Sequence, residues 1–347
     1  MLMADRFREQ AAACAGLGSP MYDELLKRVA ADIDEGGAST DVLAGHEDDP
    51  GSSALALRLA GSVHRLVLDG RAPELAAFYP SAGGCWELRP GWAAFDGVLR
   101  DQPEQVRGLL GHPPQTNEVG RAAALMGGLL LVGESHRLPV RLLEIGSSGG
   151  LNLRADQFCY QGFGGWRCGR NQGPVRLESA WEGRRLDPWD QLEVVERIGS
   201  DVSPVDVSTA EGRLTLASYV WPDQITRAER LRNAFTVATE LPVRVRRQDA
   251  VSFVREVGLV EGTTTVLWHS VMWQYLSAAD KEQITTRMAE LGAGARESAP
   301  FAHLFLEPSR RTPGAPREFL VVLHLWPPGE RRVLGTSVAH GLPTTWE

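Results

Sequence analysis

A segment rich in glycine and serine has the residue types and spacing of a ligand-binding turn. Residues 142–152 read Leu-Leu-Glu-Ile-Gly-Ser-Ser-Gly-Gly-Leu-Asn, so an apolar run with an acid near its end, Glu144, leads into small residues. Small residues let a ligand approach the backbone closely. The free N–H groups of a helix that begins after such a turn bind anions, such as an amino-acid carboxylate. Glu144 would then meet the ammonium group of the same ligand.

Other interpretations of this turn remain open. A dinucleotide site requires a second glycine at the position of Ser148 and an acid about 20 residues further on. The second position instead falls at Trp166, in a glycine-rich stretch. A phosphate-binding P-loop needs a Gly-Lys-Ser/Thr sequence, which is absent. Residues 146–150 also match G-x-S-x-G, with Ser148 as the nucleophile of an α/β-hydrolase. Acids and histidines follow in the order that a hydrolase needs, namely Asp206, Asp223 or Asp249 and then His269, His303 or His324. A tight turn that binds nothing is the remaining alternative.

Five motifs spread over nearly the whole chain resemble an uncharacterised bacterial domain-of-unknown-function family. The resemblance implies a Rossmann-like fold of the class I methyltransferase type, but it brings no established reaction. The motifs are residues 114–121, residues 144–153, residues 197–201 with Pro204 and Asp206, residues 220–224 with Arg227, and His269-Ser270 with Tyr275.

The wider class I methyltransferase pattern suggests a role for each strand end. Asp201 resembles the acid that holds the ribose hydroxyls, because a carboxylate accepts two hydrogen bonds at once. Asp249-Ala250 resembles the position that reads the adenine amino group, His269 sits where the fourth strand reaches the reacting methyl, and Glu307 ends the fifth strand. The first motif supplies Glu144, Gly146, Ser148, Gly149, Gly150 and Asn152.

Two features depart from that pattern. Ser148 replaces the usual middle glycine of the turn. About fifty residues separate the turn from Asp201, where about twenty would be ordinary. The extra segment, at about residues 158–190, is interpreted either as a hairpin lid or as an elaboration of the surface.

These observations predict a methyltransferase that uses S-adenosylmethionine, releases S-adenosylhomocysteine and acts on a small molecule. His269 is the candidate catalytic base, since histidine titrates near neutral pH; a strand-end histidine bonded to backbone is the alternative. The other functions left open are an adenosyl-ligand-binding protein without catalysis and a hydrolase that uses Ser148.

Further polar residues are candidates for the substrate pocket. Gln115, Asn117, Glu118 and Arg121 precede or begin a helix before the first strand, although Asn117 would also suit a helix cap. Another set, Trp221, Asp223 and Gln224, starts a later helix, where proline and acids are common without any function. Tyr275 lies just beyond the fourth strand and is more often a core residue. Together with Glu307, these residues complete the predicted pocket.

The hydrophobic pattern separates a helical N-terminal region, residues 1–112, from a Rossmann-like domain, residues 113–347. In the first region apolar residues follow helical spacing, as at Leu55, Leu59 and Val63. In the second, short apolar runs alternate with helical patterns, which is typical of a mainly parallel sheet. Runs at residues 319–325 and 332–337 flank Pro327-Pro328-Gly329 and predict a terminal antiparallel hairpin. The helical region is expected to cap the substrate side.

Composition limits the classes of function. The chain has 347 residues, 43% of them hydrophobic, and a formal net charge of −8, which disfavours nucleic acid as a partner. Its four cysteines include no CxxC pair and show no metal-ligand spacing with histidine, so no metal is expected. The longest apolar stretch is too short for a membrane span. A cytoplasmic protein is therefore expected; the pattern does not indicate its oligomeric state.

Overall fold

The computed structural model describes residues 2–111, 114–187 and 191–347. The helices within them are α1 (Met3–Gly16), α2 (Pro20–Asp34), α3 (Ala38–Leu43), α4 (Leu55–Leu68), α5 (Pro73–Ala76), α6 (Leu88–Asp101), α7 (Pro103–Leu110), α8 (Ala122–His136), α9 (Ala210–Ser218), α10 (Ile225–Glu240), α11 (Ala250–Glu256) and α12 (Ala278–Gly294). The strands are β1 (Val140–Ile145), β2 (Cys159–Gly162), β3 (Arg167–Gly169), β4 (Arg176–Gly183), β5 (Val194–Asp201), β6 (Arg244–Arg247), β7 (Thr264–Ser270), β8 (Phe301–Ser309), β9 (Glu318–Trp326), β10 (Glu330–Ser337) and β11 (Thr344–Trp346).

The chain divides into two compact units. The first consists of Met1–Thr116 and Thr209–Glu229, and the second of Asn117–Ser208 and Arg230–Glu347. The sequence-based boundary falls at residues 112 and 113, which lie outside the described residues. The sequence pattern assigns Thr209–Glu229 to the second domain, but this segment belongs to the first unit because α9 packs against α4. Arg65 of α4, for example, donates hydrogen bonds to Thr215 and Glu211.

The first unit is a helical bundle around an apolar core. Leu55, Leu59, Val63 and Leu66 of α4 are buried, as their helical spacing predicts. Ser19 caps α2 by accepting a hydrogen bond from the Tyr22 N–H, and Pro20 occupies the first helical position, where no N–H is needed. Residues 2–111 form helices and turns without a strand, so the helical prediction for this part of the chain is confirmed.

The second unit is built on one mixed sheet of mostly parallel strands. Its order is β3-β2-β4-β11-β10-β9-β8-β7-β1-β5-β6. The five strands from β8 to β6 are parallel to one another, and β9 and β10 form the antiparallel hairpin that the sequence predicts. The chain runs outward from β1 to β5 and β6 and then returns to β7 and β8. Strand order therefore reverses between β1 and β7, the place where open α/β sheets bind ligands.

One local feature differs from the sequence prediction, and a second adds to it. The segment at 158–190 contributes β2, β3 and β4 to the sheet, because β4 pairs with β11, with Trp181 opposite Thr344; its last residues, 188–190, lie outside the described part. The helix that the sequence predicts after the β1 turn is a 3₁₀ helix, Leu151–Gln157, a type that the sequence pattern does not specify. Arg154 departs from helical backbone angles there, and β2 begins only two residues after this helix ends.

None of the helices within the described residues has both the length and the apolar character that a membrane crossing requires.

The close packing of α8 on β11 gives a first testable prediction. A Cβ atom at residue 127 would lie 2.0 Å from Trp346 Cζ2, so Gly127→Ala forces the indole to shift. We expect a loss of about 1–3 kcal/mol in the free energy of unfolding, the usual cost of overpacking. Urea titration followed by circular dichroism measures this loss.

Gly294→Ala is the matched control, because residue 294 lies at the end of α12 in the same unit and a Cβ atom there would lie 3.9 Å from its nearest neighbour. This control should change stability by less than about 0.5 kcal/mol. Equal effects of the two substitutions would contradict the packing of Trp346 on α8.

Candidate functional site

The glycine-rich turn lies at the carboxyl end of β1 and adopts backbone angles that favour glycine. Gly146, Ser148 and Gly150 have φ values of +67°, +53° and +68°. Ser148 is a non-glycine residue in the left-handed region, which carries some strain. The turn is therefore formed, but the residue at its middle does not match the backbone preference of that position.

The N–H groups of this turn are bonded to the protein's own Asn117. Asn117 Oδ1 accepts hydrogen bonds from the N–H groups of Gly149 (3.1 Å) and Leu151 (3.0 Å). Asn152 Nδ2 donates in return to the Glu118 carbonyl at 3.2 Å. The structure thus brings Asn117, Glu118 and Asn152 to the turn. The sequence analysis predicts that the N–H groups of this turn bind an anionic ligand. In the structure, two of them donate to Asn117 Oδ1 instead.

Asp201, at the end of the neighbouring strand β5, forms a hydrogen bond that stabilises the turn. Its Oδ2 accepts a hydrogen bond from the Ser148 N–H at 2.9 Å, and its Oδ1 accepts one from the Ser203 N–H at 2.9 Å. Each oxygen of an ionised carboxylate has two acceptor sites. Asp201 therefore keeps acceptor capacity after it has fixed the turn.

Glu144 is a buried acid at the end of β1. Its Oε2 has no hydrogen-bond partner among the described residues. Burial raises the pKa of Glu144 to about 8, and nearby Asp201 adds to this rise, while the Trp268 indole, Arg121 and Arg154 oppose it. A buried acid with an unbonded oxygen suits a cationic or donor group of a ligand.

The chain that follows β7 connects the turn to Glu307. A Cβ atom at residue 146 would lie 2.9 Å from Cβ and Cγ of Met272, so the Met272 side chain packs directly against Gly146. The N–H groups of Met272 and Trp273 donate to Glu307 Oε1 at 3.0 and 3.1 Å. The ends of β1, β7 and β8 therefore form one continuous site.

Three side chains form a buried hydrogen-bonded row in this site. His269 Nδ1 lies 2.8 Å from Glu307 Oε1, and His269 Nε2 lies 3.0 Å from His303 Nε2. All three residues are buried. Burial holds the pKa of His303 well below its ordinary value, and the charges of His269, His324 and Arg331 lower it further. His303 is therefore neutral near pH 7.

The row changes the interpretation of His269. Both of its ring nitrogens are bonded to protein groups, so His269 is the middle member, and the ends of the row are the groups placed to meet a ligand. His303 Nδ1 has no hydrogen bond to the described residues, and neither has Glu307 Oε2. From sequence, His303 is a candidate only as a member of a hydrolase. The available signal is the spacing of His303, Phe305 and Glu307, because alternate residues of a strand share a face.

The row opens into a cavity of about 330 Å³. One wall is formed by strands β7 to β10 and the other by α12. The lining residues are His269, Trp273, Thr285, Met288, Ala289, His303, Phe305, Glu307, Ser309, His324, Trp326 and Arg331. Glu307 is the only acid among these described lining residues.

Several other predicted residues lie in the second unit but have structural contacts of their own. Asp249 caps α11 by accepting a hydrogen bond from the Ser252 N–H at 2.8 Å, which lowers the pKa of its carboxyl, and the adjacent Ala250 is buried. Arg121 donates to the carbonyls of Ala339 and Ser270. Tyr275 is 58% exposed, so its alternative role as a core residue does not hold.

The remaining predicted residues lie in the first unit. Gln115 is near the end of its first segment, Met1–Thr116. Asp223 accepts hydrogen bonds from Ser19 Oγ at 2.7 Å and from the Met21 N–H at 3.0 Å, and Gln224 Nε2 donates to the Leu17 carbonyl at 2.7 Å. The Trp221 ring packs 5.9 Å from that of Tyr22. These three residues tie the start of α10 to α1 and α2.

Within residues 2–111, 114–187 and 191–347, no three histidine, cysteine or acidic side chains are grouped in a way that would hold a metal ion.

Comparison with protein families gives one match over nearly the full length. A family described as "Uncharacterized protein conserved in bacteria (DUF2332)" matches residues 4–346. Comparisons with curated proteins and with solved structures give no match.

The buried Glu144 predicts a specific dependence of stability on pH. Its pKa is about 8 in the folded chain and near its ordinary value of 4.5 in the unfolded chain. Between these values the unfolded chain ionises while the folded one stays protonated, so stability is lost as pH rises. The loss amounts to about 3 kcal/mol at pH 7. Glu144→Gln cannot ionise and should flatten this dependence.

Urea unfolding at pH 5, 7 and 8.5 tests this prediction against the exposed Glu261→Gln as the control. Glu261→Gln should follow the wild-type curve, whereas Glu144→Gln should gain stability relative to wild type as pH rises. A constant difference between wild type and Glu144→Gln over this range would show that the folded protein does not hold Glu144 protonated.

Proposed function

The chain belongs to the DUF2332 family of uncharacterised bacterial proteins, and we propose that it is an S-adenosylmethionine-dependent methyltransferase acting on a small molecule. The observation that carries the proposal is the Glu307–His269–His303 row, which is connected to the glycine-rich turn through Met272: the Met272 N–H donates to Glu307 and its side chain packs against Gly146. Methyl transfer to a hydroxyl requires a group that accepts the proton and a turn that binds the cofactor, and the row and the turn are the candidates for these two roles.

The order of the parallel strands supports this proposal. Counted along the chain without the inserted strands, the parallel part of the sheet has the order third, second, first, fourth, fifth. This is the beginning of the Rossmann order, in which the nucleotide lies at the end of the first strand. The order favours a nucleoside-containing cofactor at Gly146 over a site elsewhere on the sheet.

The residues of the turn fit an adenosyl amino acid in two respects. The unbonded Glu144 Oε2 would hold the ammonium group, and the remaining acceptor sites of Asp201 would hold the ribose hydroxyls. The carboxylate of the ligand would compete with Asn117 Oδ1 for the N–H groups of Gly149 and Leu151. When bound, the cofactor supplies an activated methyl group.

The buried row accounts for the proton that a hydroxyl substrate must lose. In this proposal His303 Nδ1 accepts the proton of the substrate, and His303 Nε2 passes a proton to His269 Nε2. His269 then carries the positive charge, and Glu307 stabilises it through the bond to Nδ1. Burial lowers the pKa of His303 and so opposes a positive charge on its ring; in this proposal the charge therefore rests on His269, beside Glu307.

The hydrolase alternative has less support. A serine nucleophile needs a histidine within hydrogen-bond distance, whereas both ring nitrogens of His269 are bonded to Glu307 and His303. An adenosyl-binding protein without catalysis would use the same turn. Only a measurement of S-adenosylmethionine turnover distinguishes it from a methyltransferase.

Calorimetry with S-adenosylhomocysteine tests the cofactor assignment. Asp201→Asn keeps the size of the side chain but loses the charge, and we expect it to weaken binding by about 1.5–3 kcal/mol, the range for hydrogen bonds to a charged group. The matched control is Asp206→Asn, an exposed acid on the loop after β5. Ser148→Gly should keep or tighten binding, since glycine suits the positive φ at that position.

Circular dichroism checks that each variant folds. The assignment is wrong if wild type binds NAD and neither adenosyl compound, or if Ser148→Gly removes an esterase activity while Asp201→Asn leaves ligand binding unchanged.

A further inference from the structure

A single acid lines the cavity beside the buried row, and one oxygen of its carboxylate is unused. Glu307 Oε1 accepts hydrogen bonds from the His269 ring and from the N–H groups of Met272 and Trp273, so this oxygen is turned towards the end of β7. Glu307 is only 3% exposed, and its Oε2 has no hydrogen-bond partner among the described residues. Buried polar atoms in native structures are nearly always bonded, so Oε2 indicates a missing donor.

A positively charged donor suits this oxygen best. Burying a carboxylate is costly unless an opposite charge and hydrogen bonds compensate it. In the part of the chain that the structure describes, the only ion-pair partner of Glu307 is His269, which is charged only when it is protonated. An ammonium group carries three donors and a full positive charge. It would therefore supply both the missing hydrogen bond and the missing charge at Oε2.

Aromatic rings lie close to this acid. Trp273, whose own N–H binds Glu307, stacks on the His269 ring at 5.0 Å. Phe305, two residues before Glu307 on β8, stacks on the other neighbour of that ring at 5.3 Å from His269, and alternate residues of a strand share a face. The faces of aromatic rings attract ammonium groups. This end of the cavity thus combines a carboxylate with rings that favour a cation.

The remainder of the cavity is mostly apolar. Met288 and Ala289 line it from α12, and Trp326 lines it from the sheet. Arg331 is exposed and belongs to the far end of the lining: two strands across and four residues along β8 separate it from Glu307, about 16 Å at the usual dimensions of a sheet. Arg331 therefore does not compensate the acid. A volume of about 330 Å³ lies at the small end of ligand pockets.

We infer that the cavity binds a small primary amine with an apolar body, its ammonium group at Glu307 Oε2 and its body between α12 and the sheet. The inference goes beyond the proposed function, because none of the described lining residues belongs to the glycine-rich turn. It concerns a second ligand and holds whether or not the turn binds a cofactor.

Calorimetry with four probes of similar length tests the charge of the ligand. The probes are hexylamine, hexan-1-ol, hexanoate and 1,6-diaminohexane, each titrated into the full chain. We expect hexylamine to bind most tightly and the alcohol and the acid at least about tenfold more weakly, because a hydrogen bond between charged groups is the stronger one. The diamine should bind more weakly than hexylamine, since its second ammonium group would lose water among apolar residues. Absence of hexylamine binding, or hexanoate binding as tight as that of hexylamine, would overturn the inference.

Two substitutions at buried acids locate the ammonium group. Glu307→Gln keeps the shape of the side chain but removes its charge, so the affinity for hexylamine should fall to that for hexan-1-ol. Glu144→Gln is the matched comparison, because Glu144 is the buried acid of the turn and its Oε2 is also unbonded. Hexylamine binding should be unchanged in Glu144→Gln. If Glu144→Gln loses this binding and Glu307→Gln keeps it, the amine lies at the turn and the inference fails.

A third substitution tests the location without altering the acid. Ala289→Phe fills the cavity from α12 and should remove binding of both hexylamine and hexan-1-ol. Thr286→Phe is the control, because it adds the same side chain at an exposed position of α12 outside the lining. Circular dichroism checks that each variant folds; if Glu307→Gln does not, the probes and Ala289→Phe decide. Hexylamine binding that survives Ala289→Phe, or that Thr286→Phe removes equally, would overturn the inference.

Discussion

A single carboxylate oxygen fixes the geometry of the candidate site. Glu307 Oε1 accepts hydrogen bonds from the His269 ring and from the N–H groups of Met272 and Trp273. These three donors lie on either side of the point where β7 ends, so the oxygen fixes both the orientation of the histidine and the path of the chain beyond it. That path carries Met272 onto Gly146. Without this anchor, neither the turn nor the row would have a defined position relative to the other.

The sequence predicts the elements of the fold better than their arrangement. Apolar runs such as those of β7 and β8 are local signals, and so is the spacing in α4; all three elements lie where the sequence predicts them. Strand β11 is only three residues long and pairs with β10 and with the inserted β4, so its place depends on contacts far apart in the chain. A local pattern cannot record such a pairing, and for that reason the sequence does not reveal the role of residues 158–190 in the sheet.

The same distinction applies to the site. Glu144 and Asp201 gather at the turn because the carboxyl ends of parallel strands meet at one edge, which the motif order anticipates. Asn117 reaches the same turn from the segment before α8. The sequence names His303 only as a hydrolase candidate, because its bond to His269 depends on the packing of side chains from two strands, and its position opposite His324 depends on register. Trp221, Asp223 and Gln224 resemble pocket residues in their chemistry, but they lie in the other compact unit, where their side chains join helices.

The ends of the eleven-stranded sheet have a consequence for the behaviour of the protein at high concentration. A sheet of this width leaves two outer strands with free backbone groups, and such strands are templates for pairing with another chain. Here β6 is only four residues long and reads Arg-Val-Arg-Arg, while β3 has three residues and begins with the exposed Arg167. Two copies that approached through β6 would bring like charges together along their backbones. The arginines thus oppose growth of the sheet into fibrous aggregates, which would otherwise be a hazard for a sheet of this width.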